Sequence, residues 1–273
     1  ITDVSCRVRP APKQRLYEGW VAPDFAGGCE IIRVLAQSHE APDVLRLSDE
    51  EETRISLAMS GTEGLQKRAL DAYLALRRRR GGCLMICGWE GEPRSVRRRR
   101  SLARRRLRHG GAVPLGKSAG RAWERSRYQG PYLRDELLDL GVFVETLETA
   151  HTWSRLPELY GAVRDALREA LGRPAIVFCH LSHAYADGAS LYFTFLARAR
   201  RGAEIEQWRT AKAAACEAIV ATEGTITHHH AVGRDHLPYM RAEVGELGLE
   251  ALRAVKERLD PAEVMNPGKL LPT

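Results

Sequence analysis

Ala175-Ile-Val-Phe-Cys-His-Leu-Ser-His-Ala-Tyr-Ala-Asp-Gly188 is the stretch whose reading decides the fold. It begins as an apolar run, ends in His180, His183 and Tyr185, and closes on a glycine, so it reads as a strand running into a turn. Ser190–Leu196 takes up the strand pattern again directly after the turn, which makes the two an antiparallel pair. Upstream, Trp153–Leu171 carries Leu156, Leu159, Val163 and Leu167 at spacings of three and four, the stripe of a helix packed on a core. Downstream, Glu206–Thr222 reads as a second helix. Gly224-Thr-Ile-Thr-His-His-His-Ala-Val-Gly233 follows, with Thr225–His228 expected as a strand.

Working outward from this unit, similar strand–helix–strand units recur. Ile1–Pro12 alternates apolar and polar residues before Pro10 and Pro12, and reads as a strand with a hard stop. Gln14–Val21 is a strand, and Asp24 caps a helix to about Ser38 with Phe25, Ile32 and Leu35 inward. Val44–Leu47 is a short strand. Glu63–Arg80 is a helix with Leu65, Ala69, Ala72 and Leu76 on one side, and its terminal Arg77–Arg80 suits the negative end of the helix dipole. Cys83–Trp89 is a buried strand. Ser95–His109 is a helix in which only Val96, Ala103 and Leu107 mark a core side, and Ala112–Leu115 is a returning strand. Arg127–Asp135 is a turn leading into a short helix, Val142–Thr149 a strand, and Asp235–Leu259 largely helical. The expected fold is α+β: a mostly antiparallel sheet flanked by helices, built from two ferredoxin-like halves.

Composition narrows the functional classes. The chain has 273 residues, 44% of them hydrophobic and 28% charged, so it is globular. No apolar run is long enough to cross a membrane as a helix. The opening Ile1-Thr-Asp-Val, without Met or a signal peptide, reads as a chain cut out of something longer. None of the six Cys form a Cys-x-x-Cys pair, which suggests reduced thiols and a cytoplasmic location. Net charge is +7, and only six of the 42 basic residues are Lys, a bias expected of a GC-rich bacterial genome. The Arg97–Arg100 and Arg104–Arg106 runs come without a recognition motif or interleaved aromatics. They read as a solvated helix face, with an anionic membrane surface as the alternative partner and no nucleic acid expected. No Gly-x-Gly-x-x-Gly or Walker loop is present, so a nucleotide-type cofactor must be held mainly by something outside this chain.

The chemistry-bearing residues concentrate in two places. Tyr185 is a candidate general acid/base, and His228, His229 and His230 are candidate proton carriers, since His titrates near neutrality. On a strand, His228 and His230 share one face and His229 takes the other. His180, His183 and the triple His also offer nitrogen ligands, but no carboxylate or Cys stands at a familiar ligand spacing, so no metal site is expected. Arg46 interrupts an apolar strand, and Arg46 and Arg134 are candidate substrate-binding residues, because a guanidinium offers forked donors to phosphate or carboxylate. Paired to Asp49, Arg46 would be structural instead.

Several motifs together carry a resemblance: Leu45-Arg-Leu-Ser-Asp49, Pro131-Tyr-Leu-Arg-Asp135, Glu145-Thr-Leu-Glu-Thr149 with Trp153, His180-x-x-His183-x-Tyr185, His228-His-His-Ala-Val-Gly233, and the ending Asp260-Pro with Asn266-Pro-Gly-Lys269. With these the chain resembles the C-terminal half of the FAD-linked oxidase superfamily that includes vanillyl-alcohol oxidase, and within it the ether-lipid synthase branch. The resemblance implies that residues 1–12 are the last strand of a flavin-binding domain otherwise absent. Residues 13–273 would be a ferredoxin-like substrate (cap) domain whose C-terminal segment returns to the flavin domain. It implies FAD as cofactor, with Asn266 among the cofactor-binding residues. The implied substrates are small lipid molecules, acyl-dihydroxyacetone phosphate and a long-chain alcohol, and the implied reaction exchanges the acyl group for an alkyl ether without net redox change. A homodimer is the expected assembly. The alternatives are an FAD-dependent 2-hydroxy-acid dehydrogenase, whose Glu-His pair sits where His229-His230 stand here, and a non-catalytic binding module.

Overall fold

β1 (Gln14–Ala22), α1 (Phe25–Ala36), β2 (Val44–Ser48), α2 (Glu50–Met59), α3 (Gly64–Leu76), β3 (Cys83–Gly91), α4 (Pro93–His109) and β4 (Val113–Gly116) form the first half of the chain. The computed structural model describes residues 3–8, 10–38, 41–61 and 63–271. α5 (Lys117–Ser126) and α6 (Gly130–Asp139) lead to the second half: β5 (Val142–Thr152), α7 (Leu156–Leu171), β6 (Ala175–Ala184), β7 (Gly188–Arg198) and α8 (Glu204–Ala221). A 3-10 turn over Leu237–Tyr239 and α9 (Met240–Leu259), broken at Gly245, complete the chain. No helix among the described residues is long and apolar enough to cross a membrane.

The seven strands make one sheet in the order β4-β1-β3-β2-β6-β7-β5, and every pair is antiparallel. The first four strands stand in the order 4-1-3-2, that of a complete ferredoxin-like half. Among the described residues the second half repeats the pattern without a fourth strand. The residue that would begin that strand, Thr225 after α8, makes a single bridge to Ala150 of β5. Hydrogen bonding of β2 to β6, Leu47 with Leu181 and Ser48 with His180, joins the halves.

One continuous core lies between the sheet and α1, α4, α7 and α8. Trp20, Leu47, Met85 and Trp89 fill it under α1 and α4, and Phe193 and Phe195 fill it beside Leu159, Val163 and Leu167 of α7. The periodicity named the inward side of α4 correctly: Val96, Ala103 and Leu107 are its buried residues. Asp24 caps α1 through Gly27 N, as the sequence pattern requires.

Three expectations fail. Ile1, Thr2 and Arg9 lie outside the described residues, but residues 3–8 and 10–12 carry no strand. An alternating segment becomes a strand only where a ladder partner satisfies its backbone, and no described residue pairs with this one. In α3 the chosen side is wrong: Leu65 and Leu76 are exposed, and Leu74 packs instead with Val21 and Val113 on the far face of the sheet. Thr225–His228 is not a strand beyond the one bridge. α2 and α5 are absent from the periodic pattern for local reasons. α2 buries only Glu52 and Thr53 and owes its start to the Asp49 cap. α5 lies on β1 because Gly120 brings its backbone against Tyr17, where a Cβ would come within 2.3 Å of the carbonyl carbon.

Candidate functional site

Strand parity decides which side chains leave the core. Leu181 pairs with Leu47 on one side and with Leu191 on the other, and all three are fully buried. One residue along each strand, Ser48 pairs with His180, His180 with Tyr192, and Tyr192 with Glu148. Directly opposed residues share a face, so these four form a row across β2, β6, β7 and β5 on the side that α1, α4, α7 and α8 leave uncovered. Arg46, two residues before Ser48, is on the same face. His180 and Tyr192 stack with ring centroids 4.9 Å apart, and His230 meets Tyr192 edge-on at 5.3 Å.

At one end of the row, Arg46, Glu52 and His180 close a triangle. Arg46 Nη2 donates to Glu52 Oε1 at 2.7 Å, and Arg46 Nη1 lies 3.2 Å from His180 Nε2. His180 Nδ1 lies 3.1 Å from Glu52 Oε1. Burial opposes the charge on Glu52, yet His180 and Arg46 hold its carboxyl down at about 2. Burial, then the Arg46 charge, push the His180 ring below its ordinary value. With His180 neutral, Arg46 supplies the positive charge. The ring then donates from Nδ1 to Glu52 and accepts at Nε2 from Arg46.

At the other end, Glu148 gathers the histidine loop. Its Oε1 accepts the backbone N–H groups of His228 at 2.9 Å and His230 at 3.2 Å, and that of His229 between them. Three successive amides aimed at one oxygen form an anion-binding nest. This replaces the expected alternation, since all three backbones turn toward one carboxylate. Glu243 fixes the approach to the loop, accepting from Ile226 N at 2.8 Å and Thr225 Oγ1 at 2.5 Å. Burial raises the Glu148 carboxyl, but the His229 amide and the neighbouring rings outweigh it, and the group is held below its ordinary value. Burial likewise pushes the rings of His183 and His230 toward neutrality.

A bulge between Ser182 and Ala184, with His183 at φ 47°, re-aims the end of β6. The His183 ring comes to lie 5.5 Å from that of His228 and 5.1 Å from that of His229. The half-exposed Tyr185 reaches back so that its hydroxyl is 3.0 Å from His228 Nε2. Tyr185, His228, His229 and His230 are thus brought together, and His180 and Tyr192 connect them to Arg46.

Two candidates stand apart. Arg134 is on the exposed side of α6, pairs with Asp135, and lines a hollow with Val144, Glu145 and Trp208. Val144 is four residues along β5 from Glu148, on the order of 13 Å. Asn266 lies in the exposed tail at φ 48°, where Asp260 accepts from Val264 N and Met265 N and pairs with Lys256. Arg46 is paired to Glu52, not to Asp49. Asp49 caps α2 and accepts from Cys179 N and Tyr160 Oη. Among the described residues, ligand atoms of Glu148, His228 and His229 lie within 4.8 Å of one another, close enough to hold a divalent cation.

Glu52, Glu148 and Tyr192 were not legible as site residues from spacing alone. One signal was available for Tyr192: it sits in β7 at the parity opposite to Leu191, Phe193 and Phe195, so it faces away from the core.

Comparisons with known proteins identify the family. The model of the family described as "FAD linked oxidases, C-terminal domain" matches residues 11–270. An alkyldihydroxyacetonephosphate synthase of Dictyostelium discoideum is 31% identical over the whole chain, and one of Trypanosoma brucei brucei is 30% identical. A solved alkyldihydroxyacetonephosphate synthase superimposes with a TM-score of 0.75 over 95% of the chain at 27% identity. The chain spans 46% of the length of each of these relatives. It belongs to the FAD-linked oxidases, is similar to their C-terminal domain, and shares a family whose cofactor is FAD.

Proposed function

We propose that this chain is the substrate-facing part of an FAD-dependent enzyme of ether-lipid synthesis, which exchanges the acyl group of acyl-dihydroxyacetone phosphate for a long-chain alkyl ether. The observation that carries this reading is the row Arg46–His180–Tyr192–His230 on one open sheet face, in a chain about 30% identical throughout to enzymes named as such synthases.

The face fits a flavin ring in chemical character. It offers stacked rings, cationic and neutral donors, and two buried carboxylate oxygens without an aligned donor, Glu52 Oε2 and Glu148 Oε2. Arg46, Tyr192 and His230 would lie against the ring. When bound, FAD supplies a planar, electron-accepting centre at which a substrate carbon is activated. The dinucleotide's phosphates have no glycine-rich cradle in this sequence.

The exchange requires that a proton leave carbon next to a carbonyl, that an alcohol lose its proton, and that a carboxylate depart. Tyr192 is held on a rigid strand between the His180 and His230 rings, and we assign it the proton transfer at the substrate carbon. Tyr185 and His228, joined at 3.0 Å, provide a relay toward solvent. Arg46, already oriented by Glu52, is the group for the substrate's anionic end.

The test uses the protein in its natural full-length context, supplied with FAD, acyl-dihydroxyacetone phosphate and a long-chain alcohol, without electron acceptors. Mass spectrometry is expected to find the alkyl ether. Absence of ether, with dye reduction on a 2-hydroxy acid, would overturn the reading in favour of a dehydrogenase.

A further inference from the structure

Tyr185 opens an exposed hairpin turn, Tyr185-Ala-Asp-Gly188, between β6 and β7. Such turns are ordinarily held by little besides their own ends. Here every carbonyl from Tyr185 to Gly188 accepts a hydrogen bond. Trp153 Nε1 donates to Tyr185 O at 3.1 Å, Gln37 Nε2 to Ala186 O at 2.8 Å, Trp153 N to Asp187 O at 3.1 Å, and Tyr185 N to Gly188 O at 2.8 Å. Two of these donors are side chains from other elements, Gln37 at the end of α1 and Trp153 just after β5. Both are themselves held in place. The Trp153 ring packs against the main core. The Gln37 side-chain oxygen accepts from Arg33 Nη1 at 2.7 Å, and Arg33 is fixed in turn by Glu30. A guanidinium only donates, so the Gln37 oxygen must face Arg33 and the amide nitrogen is turned toward Ala186. Gly188 closes the turn against β5, where a Cβ would come within 2.2 Å of the His151 carbonyl oxygen.

We propose that Trp153 and Gln37 are positioning residues that clamp this turn and thereby hold the Tyr185 hydroxyl at His228. The contact they set is that of Tyr185 Oη with His228 Nε2 at 3.0 Å. The bulge at His183 breaks the register of β6 just before the turn, so the ladder alone does not fix where Tyr185 points. The clamp is independent of the alkyl-transfer reading above. Its part in turnover rests on that reading, in which Tyr185 and His228 form the relay. Both side-chain bonds are exposed, and water can replace either donor at little cost to stability. Loss of the clamp is therefore read in the turn and in turnover, not in the melting temperature.

The experiment compares Trp153→Phe, Gln37→Met, Tyr185→Phe and the double variant Trp153→Phe/Tyr185→Phe in the full-length enzyme with FAD. Trp153→Phe keeps an aromatic ring on the core and removes the Nε1 donor. Gln37→Met keeps the length of the side chain and removes the amide. Amide hydrogen exchange at Tyr185, whose N–H closes the turn on Gly188, is expected to accelerate at least about 10-fold in either variant, with exchange in α7 unchanged. The kcat for ether formation is expected to fall by up to about 10-fold in Trp153→Phe with little change in KM, and the double variant to be no slower than Tyr185→Phe alone. Unchanged exchange in both Trp153→Phe and Gln37→Met overturns the clamp. Losses that multiply in the double variant overturn the positioning role, because Trp153 would then act by a route other than Tyr185. Should Trp153→Phe not fold, Gln37→Met decides by the same exchange measurement. If the full-length enzyme makes no ether, the alkyl-transfer reading falls while amide exchange still decides the clamp.

Discussion

Arg46 is bound to Glu52, its Nη2 donating to Oε1 at 2.7 Å, and both side chains are largely removed from solvent. The guanidinium is therefore pre-oriented rather than free. Removing one partner of such a pair strands a buried charge. Arg46→Met is expected to destabilise the fold by about 3 kcal/mol, while Arg46→Met combined with Glu52→Gln costs less than the sum of the two. Urea denaturation of the four proteins measures this, and strict additivity would refute the coupling.

Two neighbouring carboxyls give opposite pH slopes. Glu52 has its folded value depressed from 4.5 to about 2, so the folded state binds fewer protons, and its stabilisation is present above 4.5 and lost as pH falls toward 2. Burial raises Asp49 from 3.8 to about 6, so its contribution is full below 3.8 and lost as pH rises through 6. Melting temperature should therefore drop below pH 4.5 in a manner that Glu52→Gln flattens. A separate decline between pH 4 and 6 should vanish in Asp49→Asn. Identical profiles for wild type and both variants would show that these groups are not linked to folding.

The two tyrosines of the site should separate kinetically. Tyr192→Phe keeps the stack on His180 and removes only the hydroxyl, and is expected to lower kcat by on the order of 100-fold or more in the full-length enzyme. Tyr185→Phe breaks the link to His228 at the site's rim and should cost about 10-fold less than that. Steady-state kinetics in parallel would show the reverse order if Tyr185 carries the proton transfer.

Gly120 supplies a prediction whose sign runs against propensity. Glycine to alanine within a helix ordinarily gains up to about 1 kcal/mol. Here the added Cβ would meet the Tyr17 backbone at 2.3 Å and lift α5 from β1, so Gly120→Ala is expected to destabilise by about 1–3 kcal/mol. A rise in melting temperature would contradict the close approach.

Much of the fold was legible because periodicity and capping are local. The stripe Leu156, Leu159, Val163 and Leu167 had to be covered, the buried side of α4 followed from three apolar residues among arginines, and the Asp24 cap fixed the start of α1. The same logic misread α3, whose leucines offer two possible faces. It passed over α2 and α5, which are set by a cap and a close glycine contact rather than by an apolar stripe.

The sequence by itself determined that Tyr185 and the three histidines belong to two turn-ending segments rich in proton-carrying groups. Only the tertiary structure decided what they do to one another. Strand register, a property of pairs of distant segments, lined up Ser48, His180, Tyr192 and Glu148. Among the described residues the outer edge of β5 carries a single bridge, at Thr225, so the histidines could wrap a carboxylate instead of continuing a ladder. A buried charge must find its donors wherever the chain brings them. Glu148 found the backbone of a loop about eighty residues away, a partner that no local pattern encodes.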